Sequence, residues 1–372
     1  MTENVLQQVL SAPSTSVPAA AVVKVLGLGG GGSNAINRMI ELGLEGVDFI
    51  AANTDGQALA SSLAPVRIQL GPRVTRGLGA GGDPKIGAAA AMESSRELAR
   101  ALVGADMVFL TAGMGGGTGT GAAPVAAEIA RENGAVVIAI VTVPFAFEMT
   151  RRMRNASEGI RQLQPHTHTL ITVPNDRLLQ IVPRELSLEV AFRLADDVLR
   201  QGVQGLSELI TRPGLINVDF AHVRELMQRG GGALMSIGLG EGHRMAHTAV
   251  RQALRHPLLE VDSLEQASGV LVHFTGGDDL TLFDIGEAVE DLRQSFSPEV
   301  DLIFGATTEP GMSGRAQAIL IVTGIGARPI ETAPPADAAA SPSLVHTAPA
   351  AEPNLDLPAF LRRRTFLGGQ GG

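Results

Sequence analysis

A chain of 372 residues with 45% hydrophobic content is long and apolar enough for two domains with their own cores, which excludes a disordered class. It contains no cysteine, which excludes a disulfide framework and any thiolate metal site or nucleophile. Its formal net charge of −9 repels a phosphate backbone, so nucleic acid is not expected as a main partner.

Residues 1–21 read as a disordered leader. Val5, Leu6, Val9 and Leu10 make a short amphipathic patch, but acidic Glu3 and the lack of a basic flank set it apart from a signal peptide. Beyond it, every apolar stretch is broken by glycine, proline or charge before the roughly 20 residues that a bilayer crossing needs. No direct membrane insertion is therefore expected, and the chain reads as cytoplasmic.

From Val22 short apolar runs alternate with helical patterns, the order of a parallel sheet covered on both faces. The runs are Val22–Leu26, Val47–Ala51, Val66–Leu70, Met107–Ala112, Val136–Val143 and Thr169–Val173, and they predict a doubly wound, mainly parallel α/β domain over 22–186. A long central helix follows at 187–212, with Leu188, Ala191, Phe192, Ala195, Val198, Leu199 and Leu206 on its apolar face. After Thr211-Arg212-Pro213-Gly214 the pattern mixes helices and strands, which predicts a smaller α+β second domain over 213–326. Residues 327–353 hold nine alanines and six prolines and cannot build a core, so they read as a disordered C-terminal linker. At 354–364 apolar residues return between charges (Leu355-Asp356-Leu357-Pro358-Ala359-Phe360-Leu361-Arg362-Arg363-Arg364), the pattern of a docking peptide, before a tail at 365–372.

Two glycine-rich turns carry the chemistry. Gly27-Leu28-Gly29-Gly30-Gly31-Gly32 leaves the first strand and enters a helix at Ser33-Asn34, so unhindered amides and a helix N-terminus face one anion. Alone this also fits the dinucleotide fingerprint, with Asp55 as a ribose ligand. The fourth strand, however, runs into Gly113-Met114-Gly115-Gly116-Gly117-Thr118-Gly119-Thr120-Gly121, a second turn with no place in that fingerprint. Two turns imply a longer phosphate chain, with Thr118 and Thr120 offering hydroxyls to phosphate oxygens or to Mg²⁺. No lysine follows, so the pattern G-x-x-x-x-G-K-[ST] fails.

GMGGGTGTG resembles the signature loop of the tubulin/FtsZ superfamily. GLGGGGSNAINRM, NTDGQAL, TRGLGAGGDP, VTVPFAFE, VPNDRLL, ELITRPGLINVDFA and LDLPAFLRR are similar to segments of its FtsZ branch, in the same order. The resemblance implies a GTP-binding first domain and head-to-tail filaments that form a cytokinetic ring at the mid-cell division site, with GTP hydrolysed to GDP where one subunit closes the next subunit's site. By position it assigns Gly30, Gly31, Asn34, Gly117, Thr118, Gly119 and Thr120 to the phosphates, with Ala80 and Gly81 beside the γ-phosphate. It gives Glu148 and Arg152 to the ribose side, and Asn175, Phe192 and Asp197 to the guanine. A carboxylate accepts from the guanine N1–H and amine, which makes Asp197 the expected specificity residue. Glu148 and Arg152, four apart, also read as a surface ion pair, and Phe192 also reads as core packing. The terminal peptide at 355–364 would bind a membrane-tethering adaptor.

The segment departs from the family pattern at Asn217-Val218-Asp219-Phe220-Ala221-His222, where a second acid normally stands at the last position. Asp219 then remains as the acidic catalytic residue. His222 either slows turnover, leaving a GTP-binding polymer subunit that co-assembles with an active paralogue, or serves as a substitute base. His243, Arg244, His247, Arg251, Arg255 and His256 make the next helix basic where acids are common in the family, and Met312-Ser313-Gly314-Arg315 lacks an acid often found there.

Overall fold

The computed structural model describes residues 21–180, 187–212, 214–229, 231–259, 264 and 267–325. The leader up to residue 20, the linker, the docking peptide and the tail expected from the sequence lie outside the described residues. Among the described residues, no helix is long and apolar enough to cross a membrane.

Among the described residues ten strands form one sheet: β1 (Val23–Leu28), β2 (Asp48–Asn53), β3 (Val66–Gln69), β4 (Met107–Gly113), β5 (Val136–Val143), β6 (Thr169–Pro174), β7 (Gly232–Glu241), β8 (Gly269–Gly276), β9 (Asp301–Thr308) and β10 (Arg315–Ile325). The helices of eight residues or more are α1 (Gly29–Glu41), α2 (Pro84–Glu93), α3 (Ser95–Leu102), α4 (Thr118–Glu132), α5 (Thr150–Leu163), α6 (Leu188–Thr211), α7 (Phe220–Gln228), α8 (Met245–Leu254) and α9 (Leu282–Gln294). The strand order is β3-β2-β1-β4-β5-β6-β7-β10-β8-β9. Pairing is parallel from β3 to β7 and antiparallel where β10 joins β7 and β8.

Burial on both faces explains the continuous apolar runs. Every residue of β5 is buried, as a parallel strand between two helical layers requires. Alternate residues of each strand feed opposite layers: Val25, Phe109 and Ile138 pack with Ile36 of α1 and Val198 and Val203 of α6. Leu26, Leu110 and Val137 pack with Leu98 of α3, Ala126 of α4 and Ile160 of α5. A third core holds α8 and α9 against β8 and β10.

The second group of strands is not a detached sheet. β7 continues from β6 through the pairs Leu170↔Gly232 and Ile171↔Ala233. Helix α6, capped by Ser187, which accepts from the Val190 amide, lies across this junction. Two of its glycines permit the approach. A Cβ on Gly202 would stand 2.8 Å from Met235 Sδ, and one on Gly205 2.6 Å from Ile319 Cδ1.

Candidate nucleotide-binding site

The strand order reverses between β1 and β4, which pair in parallel up to Leu28↔Ala112. In a doubly wound sheet the crevice beyond the carboxyl ends of two such strands is where ligands bind. Both glycine turns leave from these two ends, so segments far apart in sequence meet there.

Helix α1 begins at Gly29 itself, so the amides of its first turn have no partner within the helix and point along the positive end of its dipole. Gly29 has φ +68°, and a Cβ there would lie 2.9 Å from the Gly119 amide nitrogen, which puts the two turns in contact. A Cβ on Gly31 would lie 3.2 Å from the Gly113 nitrogen, whereas one on Gly30 would meet nothing within 4 Å. The open side of the cradle is therefore at Gly30, with Asn34 exposed one turn on.

The second turn is built from within. Gly115 (φ +98°) donates its amide to Thr120 Oγ1 at 2.8 Å, so the buried Thr120 hydroxyl shapes the loop and is turned away from its open side. Half-buried Thr118 Oγ1 instead shares a 2.6 Å hydrogen bond with Thr54 at the end of β2. Gly117 is pressed by a third loop, its Cβ position 2.8 Å from Ala80 Cβ. The neighbouring Gly81 has φ +59° and open space around it. Asn155 of α5 fastens these loops together, donating to Gly82 O and Gly115 O at 3.4 and 3.3 Å. Sequence reasoning passed over Asn155, because its role appears only once both loops are folded.

Beside the second turn, where a Cβ on Gly115 would lie 2.9 Å from Arg152 O, Glu148 and Arg152 form an ion pair, and Glu148 Oε1 also accepts from the Phe145 amide at 2.9 Å. Phe145 stacks on Phe147 (centroids 5.0 Å apart, 11° between planes) and takes the edge of Phe192 at 5.5 Å. Phe192 is 38% exposed, so it stands on the rim of this aromatic cluster and not in the core face on which its helical spacing places it. Asn175 follows β6, is buried, and its Oδ1 has no hydrogen-bond partner among the described residues. An orphaned buried acceptor is costly and is the kind of group a ligand satisfies.

The two aspartates of α6 differ. Asp197 accepts from Arg200 Nε at 2.7 Å and from Gln201 Nε2 at 2.5 Å. Burial raises its pKa, but the hydrogen bonds and charge of Arg200, with Gln201, outweigh this and hold the carboxyl below its ordinary value. Asp196 accepts no such bond among the described residues, and burial pushes it up to about 7. Asp196 also stands four residues after Phe192, on the same stripe of the helix. That spacing was readable in the sequence and separates Asp196 from Asp197. Asp55 is a helix cap, accepting from the Gln57 and Ala58 amides at 2.9 and 3.1 Å.

Asp219 and His222 are not brought to this crevice. Asp219 caps α7, its Oδ1 accepting from the Ala221 amide at 2.9 Å, and both residues are exposed. Helix α6 separates them from the cradles: Phe192 near its start meets Phe145, while Thr211 at its end packs against Gly46, beyond the far end of α1. Roughly 1.5 Å per residue puts Phe192 and Thr211, near the two ends of this helix, some 30 Å apart.

Paired backbone cradles at the switch point of a doubly wound sheet are the arrangement of nucleotide-binding α/β proteins. The model of the Tubulin/FtsZ family GTPase domain matches residues 22–183, and that of the FtsZ family C-terminal domain matches 231–326. A solved empty FtsZ dimer from M. jannaschii is 44% identical over 87% of this chain and 91% of that one, with a TM-score of 0.79. CetZ2 from Haloferax volcanii, solved as a GTPγS-bound protofilament, shares the fold at 21% identity over 82% of this chain and 94% of that one, with a TM-score of 0.70. The chain belongs to the FtsZ branch of the tubulin/FtsZ family of GTPases.

Proposed function

We propose that this chain binds GTP in the β1–β4 crevice and assembles head to tail, and that hydrolysis occurs where a neighbour's Asp219 loop reaches the γ-phosphate. The observation that carries this reading is the separation of the two halves: the cradles lie at one end of α6 and the exposed Asp219 and His222 at the other. A single subunit holds both parts and cannot use them on one nucleotide. Two subunits in a row can.

In this reading the amides of Gly30, Gly31, Gly117, Thr118 and Gly119 hold the phosphates, with Asn34 beside them and Ala80 and Gly81 facing the γ-phosphate. Thr120 acts through Gly115. Glu148 and Arg152 border the ribose, and Phe192 and Asn175 flank the guanine. Asp197, kept ionised by Arg200 and Gln201, has a lone pair left on each oxygen for the guanine N1–H and amine, and Asp196, four residues after Phe192, is the alternative acceptor.

Bound Mg²⁺ would neutralise charge developing on the β- and γ-phosphates. The half-buried Thr118 hydroxyl fits it, since Mg²⁺ commonly keeps its waters and rests on substrate phosphates with few protein ligands. Asp219 would accept from the attacking water through its second oxygen, which has no hydrogen-bond partner among the described residues. The second domain, over 213–326, presents this loop, while 22–186 holds the nucleotide.

A second reading rests on His222. An imidazole in place of the second acid supports binding and assembly with weak turnover, and such a subunit would co-assemble with an active paralogue. In either case the filament would form a ring at mid-cell, tethered to the membrane by an adaptor that takes residues 355–364. Sedimentation with GTP and with GDP, run beside phosphate release, tests the proposal. GTP-dependent pelleting is expected, and failure to bind or pellet with GTP and magnesium present overturns it.

A further inference from the structure

The basic residues of helix α8 and its caps follow one stripe, with Arg244, His247, Arg251 and Arg255 recurring every three or four positions. At the start of the stripe Arg244 pairs with Glu287 at 3.0 Å and His247 Nε2 with Asp291 Oδ2 at 2.5 Å, both partners being on α9. At its end Arg251 and Arg255 are exposed and make no ion pair among the described residues.

These two arginines border a cleft of about 510 Å³ whose wall also includes Leu239 and Pro257. Leu239 is 55% exposed although it belongs to β7, and its amide donates to the Gln252 side chain, which fixes the strand against the helix at the cleft. A concave surface thus offers paired guanidinium groups beside an apolar patch. Guanidinium forks match carboxylates in geometry and are weakly hydrated, which suits them to an interface.

We propose that this exposed end of α8 docks an extended acidic peptide segment of a partner protein, with Arg251 and Arg255 binding two carboxylates and Leu239 and Pro257 receiving an apolar side chain two residues further along the same face of the peptide. The spacing fits. Residues four apart on a helix have Cβ atoms about 5–6 Å apart. Alternate residues of an extended strand lie on one face about 6.6 Å apart. An acid at every second position therefore meets an arginine at every helical turn. The chain's own terminal peptide is the wrong occupant on charge, because it ends in Arg362, Arg363 and Arg364.

The test uses the full chain and a fluorescein-labelled peptide, Glu-Leu-Glu-Leu-Pro-Glu, followed by fluorescence anisotropy, with a peptide carrying lysine for each glutamate as counterpart. The acidic probe should bind and the lysine probe should not. Arg251→Gln with Arg255→Gln should weaken binding about tenfold, and raising salt should weaken it in the parent. Arg96→Gln with Arg100→Gln is the control, since these exposed arginines have the same spacing on α3. It should change nothing. Arg251→Glu with Arg255→Glu should transfer preference to the lysine probe, a gain that an unfolded variant cannot give. Absence of acidic-probe binding, an equal loss in the α3 control, or preference for phosphatidylserine vesicles or an oligonucleotide over the peptide would overturn the proposal.

Discussion

The hydroxyls of Thr54 and Thr118 stand 2.6 Å apart, joining the end of β2 to the first residue of α4. Thr54 is fully buried, so removing its partner strands a polar group away from water. Thr118→Val should cost about 1–3 kcal/mol of stability and weaken GTP binding, while Thr118→Ser keeps both. Urea unfolding followed by circular dichroism and a GTP titration check this; tryptophan and tyrosine are absent, so intrinsic fluorescence is of little use.

Gly30 and Gly87 predict opposite outcomes for the same change. A Cβ on Gly87 would fall 2.3 Å from the Gly117 carbonyl oxygen, so Gly87→Ala should destabilise the fold by roughly 1–3 kcal/mol. A Cβ on Gly30 meets no protein atom within 4 Å. Gly30→Ala should leave the melting temperature unchanged or higher, since alanine favours a helix, yet reduce GTP affinity by at least about tenfold. Retained affinity would mean that the space above Gly30 does not belong to the phosphates.

Asp196 supplies a pH dependence. Burial raises its pKa from an ordinary 3.8 to about 7, so between these values the folded protein holds a proton that the unfolded chain has released. Stability from this group is complete below about 3.8 and lost as pH rises through about 7. Asp196→Asn should therefore gain on the parent as pH climbs across that window, with a constant advantage above it. Guanine donates to an ionised carboxylate, so if Asp196 is the acceptor GTP affinity of the parent should rise between pH 6 and 8, and the variant should lose both this slope and about tenfold in affinity. Calorimetric titrations at three pH values separate the two effects.

Much of this architecture could be read in advance, and the reasons differ by element. The strands of the first sheet half are legible because burial on both faces makes them uninterrupted apolar runs. The two cradles are legible because glycine clusters at strand ends have few other uses. The continuity of β6 with β7 was hidden, because only the pairs Leu170↔Gly232 and Ile171↔Ala233 create it. The inward turn of Thr120 and the link through Asn155 were hidden as well. Both depend on backbone groups whose position no side-chain pattern encodes.

Met149 has φ +81° and ψ 150°, a region that only glycine enters without strain. It follows Glu148, whose carboxylate closes back on the Phe145 amide and pairs with Arg152, and this closure holds the backbone in place. Met149→Gly should relieve roughly 1–3 kcal/mol of strain, partly offset by about 1 kcal/mol of extra chain entropy in the unfolded state. A higher urea midpoint is expected. A lower one would show that the exposed methionine side chain, 76% accessible, contributes more than its backbone costs.

In the proposed assembly His222 should set how fast the filament turns over. Its amide donates to the Asp219 carbonyl at 3.0 Å, so the two residues share the first turn of α7 and move together into whatever surface they meet. If imidazole is a poor substitute for a carboxylate, His222→Asp should raise phosphate release by about tenfold under assembly conditions, with little change in nucleotide affinity because the residue is remote from its own subunit's cradles. If imidazole is itself the base, the same variant should show no gain. Phosphate release measured for parent and variant distinguishes the two. Asp219→Ala should abolish turnover in either case while GTP binding by the isolated subunit persists.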